Sequence, residues 1–210
     1  MERLLCVVIG YALGCLSPAY LLGKWERGID IRNYGSGNAG TTNTIRVLGG
    51  KAGAVTLCLD ILKAVLAMTI CGLIFGFDAR NLMLWGGLGV IIGHNYPFYM
   101  QFRGGKGVAS TIGIIAMLDW RVFLCAAVPA LVLMLVTRYV SLGSLVFSLL
   151  ALLAGVIFYC RLPGGWEIIG LLVLIAGSIF WRHRGNISRL CHGTERKFGQ
   201  KVELKKEEKA

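Results

Sequence analysis

The chain has 210 residues, 56% of them hydrophobic and only 16% charged, against roughly 25% charged in soluble domains. Its apolar residues come in long blocks, so it is read as an integral membrane protein rather than a soluble domain with a large core. A net charge of +11 would suggest nucleic acid in a soluble protein, but membrane proteins collect Lys and Arg in cytoplasmic loops, and no basic run alternates with aromatics as a base-stacking surface requires.

The first block, LLCVVIGYALGCLSPAYLLG, is too long for the apolar region of a signal peptide and lacks an A-x-A cleavage site. It reads as a membrane helix over roughly 3–24, kinked at Pro18. The polar loop NYGSGNAGTTNTIR follows, residues 33–46. Its glycines Gly35, Gly37 and Gly40 let the backbone turn tightly, and Ser36, Asn38, Thr41, Thr42 and Asn43 bring neutral donors ahead of the cationic fork of Arg46. Successive amides in such a turn form an anion nest.

A second span is expected over 53–76, with Asp60 and Lys63 three residues apart inside it. Charges in a membrane are costly and usually paired. The pair is therefore assigned a structural role, fixing the helix or the base of a site. A third span covers 80–94 and ends at His94, which is assigned to positioning the loop over 93–107.

That loop ends in FRGGKGVAS. It is not a nucleotide P-loop, because the leading glycine would have to be Met100 and the magnesium hydroxyl would have to be Gly107. Gly104, Gly105 and Gly107 around Lys106, just ahead of a short apolar helix, instead suit phosphate at a helix N-terminus. Four further spans are expected over 105–118, 120–137, 140–160 and 165–182. The third and fourth of the seven are short, since a full crossing needs about 20 residues. After the last span, RHRGNISR places His183, Asn186 and Arg189 three residues apart, on one face if helical. The tail over 199–210 reads as polar and solvated, leaving one membrane domain over 1–198.

Charge bias orients this bundle. With the N-terminus outside, 17 Lys and Arg fall on the cytoplasmic side and 4 outside, with Lys63 inside a span. The glycine-rich and polar segments, including TRYVS at 137–141, then all share the cytoplasmic face. The seven cysteines form no C-x-x-C pair and read as reduced packing residues. H-x-x-x-x-D, G-x-S-x-G and H-E-x-x-H are all absent, and no loop pairs carboxylates for a metal. A cationic site of this kind suits an anionic substrate with a good leaving group. Two other classes stay open on the residues alone: an anion transporter or channel, and a lipid-binding scaffold.

GSGNAGTTNTIRVLG, LDILKA, GHNYPFYMQFRGGKGVAS, RYVSLGS and RHRGNISRL, in that order and spacing, resemble the PlsY family of bacterial membrane acyl-phosphate:glycerol-3-phosphate acyltransferases over roughly residues 4–198. The resemblance implies an all-α helix bundle in the bacterial plasma membrane, with seven spans, an outside N-terminus and a cytoplasmic site. It implies transfer of a fatty acyl group from acyl phosphate to the sn-1 hydroxyl of glycerol 3-phosphate, giving lysophosphatidic acid and phosphate, with no cofactor or metal. A peripheral enzyme would supply the acyl phosphate.

Carried over by motif, the site residues are Ser36, Asn38, Thr41, Asn43 and Arg46; then His94, Gly104, Lys106 and Gly107; then Ser141, His183, Asn186 and Arg189. On this reading Lys106 and the glycine loops, Gly35 and Gly37 included, hold acyl phosphate, and Arg46 with Arg189 holds glycerol 3-phosphate. Ser36, Ser141 and Asn186 serve the carbonyl oxygen. The base is either His183 or, preferably, the donor's own phosphate. Arg103, Ser110 and Gly185 depart mildly from the family pattern, and the charged tail runs beyond its usual end.

Overall fold

The computed structural model describes residues 1–200, so most of the charged tail lies outside the described residues. Within them the chain forms α-helices joined by short turns and loops, with no strand. In chain order the helices are α1 (Glu2–Gly14), α2 (Pro18–Arg27), α3 (Thr41–Leu48), α4 (Gly50–Phe75), α5 (Arg80–Asn95), α6 (Val108–Leu118), α7 (Trp120–Thr137), α8 (Val140–Tyr159), α9 (Gly165–Arg182) and α10 (Arg184–Cys191). Five stretches are long and apolar enough to cross a membrane: the α1–α2 unit, α4, α7, α8 and α9. With 16 and 11 residues, α5 and α6 are the two short blocks noted in the sequence.

The bundle is built for lipid. Leu66 and Leu73 on α4, and Leu131, Leu135 and Val136 on α7, are exposed. Such a surface is sustained where the surrounding solvent is hydrocarbon and every backbone group is paired within a helix. Inside, Met68, Leu84, Ile91, Ile114, Ile175 and Ile179 are buried in one continuous core.

The closest packing joins α1 to α5. Gly10 and Gly14 face Gly86 and Val90, while Gly89 and Gly93 face Val7 and Tyr11. A Cβ at Gly10, Gly14, Gly89 or Gly93 would run into the backbone of the opposing helix. Small residues four apart on both helices thus let the two backbones touch, the usual way in which membrane helices associate without a hydrophobic drive.

Pro18 breaks the first span instead of bending it. It is the first residue of α2, and residues 15–17 leave the helix. Proline has no N–H to donate and excludes the helical geometry just before it. Carbonyls freed by the break need partners inside the bundle. Lys63 Nζ donates to Gly14 O at 3.2 Å and Leu16 O at 2.7 Å, and Tyr99 Oη donates to Cys15 O at 2.8 Å. A second small cluster of Ala19, Ile31, Ala39, Val47 and Met100 pins the 28–40 loop to this end of the molecule.

The short α6 sets depth. It meets the start of α7 at Asp119 and runs back 11 residues, whereas α7 runs 18. At 1.5 Å per residue, α6 begins about 10 Å short of the far end of α7. The 104–107 loop and the polar side chains above it occupy that layer.

The α1–α5 contact yields a paired test. Gly89→Ala should destabilise the protein by about 1–3 kcal/mol, the usual range for overpacking. Gly170→Ala makes the same chemical change on α9 where nothing lies within 4 Å, and should leave stability unchanged or slightly higher. Thermal melts of both variants in detergent check the contrast.

Candidate active site

Three segments converge at the end of the bundle where α5 finishes and α6 starts. The first is the 33–46 loop. Asn43, fully buried on the first turn of α3, holds it in shape. Its Nδ2 donates to Ile31 O at 3.1 Å and Tyr34 O at 3.0 Å, and its Oδ1 accepts from Ser36 N at 2.7 Å and Ser36 Oγ at 3.1 Å. Gly35 has φ +65°, and a Cβ there would meet Asn43 Oδ1. Gly37 N closes a turn onto Tyr34 O at 3.1 Å. Asn38 makes no side-chain hydrogen bond among the described residues, and the buried Oγ1 of Thr41 has no partner there.

The second segment is the 104–107 loop. Gly104 N donates to Asn95 O and Gly105 N to His94 O, both at 3.0 Å. Arg182 donates to the carbonyls of Gly104 and Gly105, both at 2.9 Å. A Cβ at Gly105 would strike the His94 imidazole. So the first two glycine amides bond inward, and the amides that keep no backbone acceptor among the described residues are those from Lys106 into the first turn of α6. Gly107, at φ +83°, makes the reversal that starts the helix.

Behind this loop lie Asp60, Lys63 and His94. Lys63 Nζ is 2.7 Å from Asp60 Oδ1 and 2.8 Å from His94 Nδ1, and all three side chains are buried. They touch the loop from below and do not join the cation cluster above it.

The third segment runs from the end of α9 through α10 to residue 198. His183 ends α9, and its Nδ1 lies 2.9 Å from Ile179 O. A carbonyl only accepts, so Nδ1 carries the proton and Nε2 keeps its lone pair. Burial first, then the charge of Lys106, lowers the His183 pKa to about 4. Lys106 donates to Asn186 Oδ1. Burial pulls its pKa down to about 8, with Arg189, Arg182 and Arg46 adding to the fall and Glu195 opposing it. The pKa of Arg46 is likewise lowered, by burial and then by Arg196. Among the described residues neither Lys106 nor Arg46 has a carboxylate within salt-bridge distance.

Glu195, which the motif reading passed over, is the hub of this segment. Its Oε1 accepts from Asn186 Nδ2 at 2.6 Å and Ser141 Oγ at 2.9 Å, and its Oε2 from Arg189 Nε at 2.7 Å. Burial alone would raise its pKa, but these hydrogen bonds outweigh burial and the net shift is downward. Glu195 is the one acid between Glu167 and Glu203, in a stretch otherwise basic. That isolation was the available signal. Arg182 and Arg196 were missed as well, having been counted only as loop charge. Arg196 lies 3.4 Å from Gly35 O and ties this segment to the first loop.

The structure therefore brings Lys106, Ser141, Asn186 and Arg189 together around Glu195, with His183 and Arg46 beside them. Ser36 belongs to the Asn43 loop and makes no hydrogen bond to this hub. Five cations (Arg46, Lys106, Arg182, Arg189 and Arg196) gather here with one carboxylate, and among the described residues only Arg189 pairs with it. Among the described residues no three His, Cys, Asp or Glu side chains gather as a metal site needs.

The glycerol-3-phosphate acyltransferase family matches residues 4–193. The chain belongs to this family. It is 41% identical to the glycerol-3-phosphate acyltransferase of Thermoanaerobacter pseudethanolicus, covering 98% of this chain and 100% of the relative. It is 45% identical to that of Halalkalibacterium halodurans, covering 95% and 97%. Among solved structures it is similar to PlsY, an integral membrane glycerol 3-phosphate acyltransferase, in its glycerol 3-phosphate form, with a TM-score of 0.84 and 36% identity over 95% of this chain and 96% of that one. The lysophosphatidic acid form of PlsY superposes with a TM-score of 0.82 at 35% identity. The protein is thus a membrane enzyme of acyl transfer, with an all-α bundle of about five apolar spans.

Asn43 offers a direct test of the first loop. Asn43→Ala strips Ser36 of its acceptor and removes one of the two donors to each of the Ile31 and Tyr34 carbonyls. It should cost about 1–3 kcal/mol of stability and lower kcat/KM for glycerol 3-phosphate. Thermal melts and steady-state kinetics on one preparation measure both.

Proposed function

We propose that this chain transfers a fatty acyl group from acyl phosphate to the sn-1 hydroxyl of glycerol 3-phosphate, releasing lysophosphatidic acid and phosphate as the first acylation of phospholipid synthesis. The observation that carries the reading is the cluster of five cations, Lys106 and Arg46 partly buried among them, gathered with a single carboxylate. Both substrates are anions, and the acyl donor has a tail that belongs in lipid.

The donor phosphate is assigned to Lys106 and the free amides at the start of α6, where the helix dipole adds attraction. Glycerol 3-phosphate is assigned to Arg46, and to the terminal nitrogens of Arg189 that its Nε bond to Glu195 leaves free. The substrate hydroxyl attacks the acyl carbonyl carbon, the carbon–oxygen bond to phosphate breaks, and the electron pair leaves with the phosphate. Ser36, Ser141 and Asn186 are assigned to the carbonyl oxygen as charge builds there. Ser141 and Asn186 first have to turn from Glu195, and Ser36 from Asn43.

The hydroxyl proton goes to the departing phosphate. The phosphate oxygens gain basicity as the carbon–oxygen bond breaks and free phosphate leaves, whereas burial and Lys106 hold His183 at about 4, a weak base. Nε2 of His183, neutral and unprotonated, is suited to accept a hydrogen bond from the attacking hydroxyl and aim it. His183 is therefore assigned to orientation and the donor phosphate to proton removal.

The same reading gives seven membrane segments, counting the short α5 and α6, with the N-terminus outside and the site facing the cytoplasm of a bacterial inner membrane. The loop charges support it. Residues 1–198 act as one domain, and a peripheral enzyme delivers the acyl phosphate. A transport path is disfavoured because an apolar core at Met68, Leu84 and Ile114 separates the cation cluster from the opposite end.

Purified protein in lipid should release phosphate from palmitoyl phosphate only when glycerol 3-phosphate is present. Lys106→Ala and Arg46→Ala should each lose about 100-fold or more, the scale of removing one charge-stabilising donor. No release from folded wild-type protein would send the motifs to another donor.

The pH profile separates the two candidate bases. Lys106 must be charged to hold the donor, so kcat/KM should fall as pH rises through about 8. Lys106→Arg should move that limb upward. His183→Ala should lower the rate without removing any limb between about pH 5 and 8. A limb in that window that vanishes in His183→Ala would make the histidine the base.

A further inference from the structure

The end of the bundle away from Lys106 holds a second charged cluster that the acyl transfer does not use. Arg80 opens α5 and Asp119 follows α6, at the far ends of the two helices that border the 104–107 loop. Asp119 accepts from Arg121 Nη2 at 2.7 Å and Nε at 3.1 Å, and lies 4.0 Å from Arg80 Nη1. Arg80 donates to Tyr159 Oη at 3.2 Å, and the Arg121 guanidinium sits over the Phe158 ring at 4.7 Å. Two guanidiniums thus share one carboxylate, which leaves a positive charge over. Both arginine side chains are about half exposed, at 50% and 46%. Arg80 Nε and Nη2 have no acceptor among the described residues.

A cavity of about 400 Å³ opens at this point, lined by Arg80, Met117, Leu118, Asp119, Trp120 and Arg121. A second cavity of about 190 Å³ shares Arg80, Met117 and Leu118 with it and continues to Met68, Phe77 and Met83. The combined space is cationic at one end and apolar at the other. Its apolar end is lined mostly by methionines, which adapt to irregular chains. Trp120, exposed at the rim, is the residue type that sits at a membrane–water boundary. A free phosphate would satisfy the arginines and leave the apolar cavity empty. An amphiphile with an anionic head fills both.

We propose that this is a binding site for an anionic phospholipid of the leaflet opposite the acyl-transfer site. The headgroup phosphate bonds Arg80 and Arg121, and an acyl chain runs over Met117 towards Phe77 and Met83. Basic pockets between membrane helices select anionic lipids in this way.

The test uses delipidated full-length protein in neutral detergent, followed by native mass spectrometry and thermal melts. Dioleoyl phosphatidylglycerol should be retained and should raise Tm, while dioleoyl phosphatidylcholine should do neither to the same extent. The double variant R80Q/R121Q should bind the anionic lipid about tenfold or more weakly and lose the difference in Tm. If that variant fails to fold, as judged by its acyl transfer, Met117→Trp decides: it fills the apolar cavity, keeps both arginines, and should also weaken the long-chain lipid. Equal binding of the two lipids, or an unchanged affinity in the variant tested, would overturn the proposal. So would a Tm rise of the same size with dihexanoyl phosphatidylglycerol or inorganic phosphate, because the site would then read only an anion.

Discussion

A lysine buried inside a membrane helix organises the end of this molecule that carries Lys106. Lys63 on α4 donates to Gly14 O and Leu16 O, and pairs with Asp60 and His94. Burying an ammonium is affordable only with several partners at good geometry. Here the partners come from three elements: the broken first span, α4 itself and the end of α5. The break at Pro18 frees carbonyls inside the bundle, Lys63 takes them, Asp60 balances its charge, and His94 is fixed against both. The main-chain carbonyl of His94 then holds Gly105. A proline in one helix is in this way linked through one side chain to the loop that carries Lys106.

Above that foundation the logic reverses, and charge is left unbalanced. Arg182 is spent on two loop carbonyls, Arg189 gives only Nε to Glu195, and Lys106 and Arg46 have no acid within ion-pair reach among the described residues. Burial first, and then the neighbouring arginines working against Glu195, penalise the charged form of Lys106 and lower its pKa. An arriving phosphate offsets that penalty. Residues that gather an anionic substrate in this way need not be those that stabilise the fold.

Much of this was legible in the sequence. The long apolar runs mark the helices because a membrane segment must satisfy its own backbone and hide it from lipid. The four polar segments stand out for the same reason, and Asp60 with Lys63 announces itself as a pair three residues apart within an apolar run. Other features needed coordinates. The Gly10 and Gly14 pattern is visible, but that its partner is Gly89 and Gly93 on α5 depends on how the helices pack. Glu195 belongs to none of the motifs, and only the fold brings it under Ser141, some fifty residues earlier. The glycines of GGKG suggested an amide cradle, yet Gly104 and Gly105 turn their amides to His94 and Asn95. Sequence shows that a backbone is free to turn, not which way it faces.

The length of α6 links these observations. Eleven residues reach about half of a 30 Å hydrocarbon core. Anchored to α7 at Asp119, the helix has to stop short at its other end, and the polar loop that precedes it sinks into the vacated layer. A full-length helix in its place would carry Lys106 out to bulk water. The cation would then be screened and its attraction for phosphate weakened. An acyl chain bound beside it would have to leave the bilayer, losing roughly 0.8 kcal/mol for each CH₂ exposed. On the proposed function, a helix too short to cross a membrane is what lets one site take a charged headgroup and a hydrocarbon tail at once.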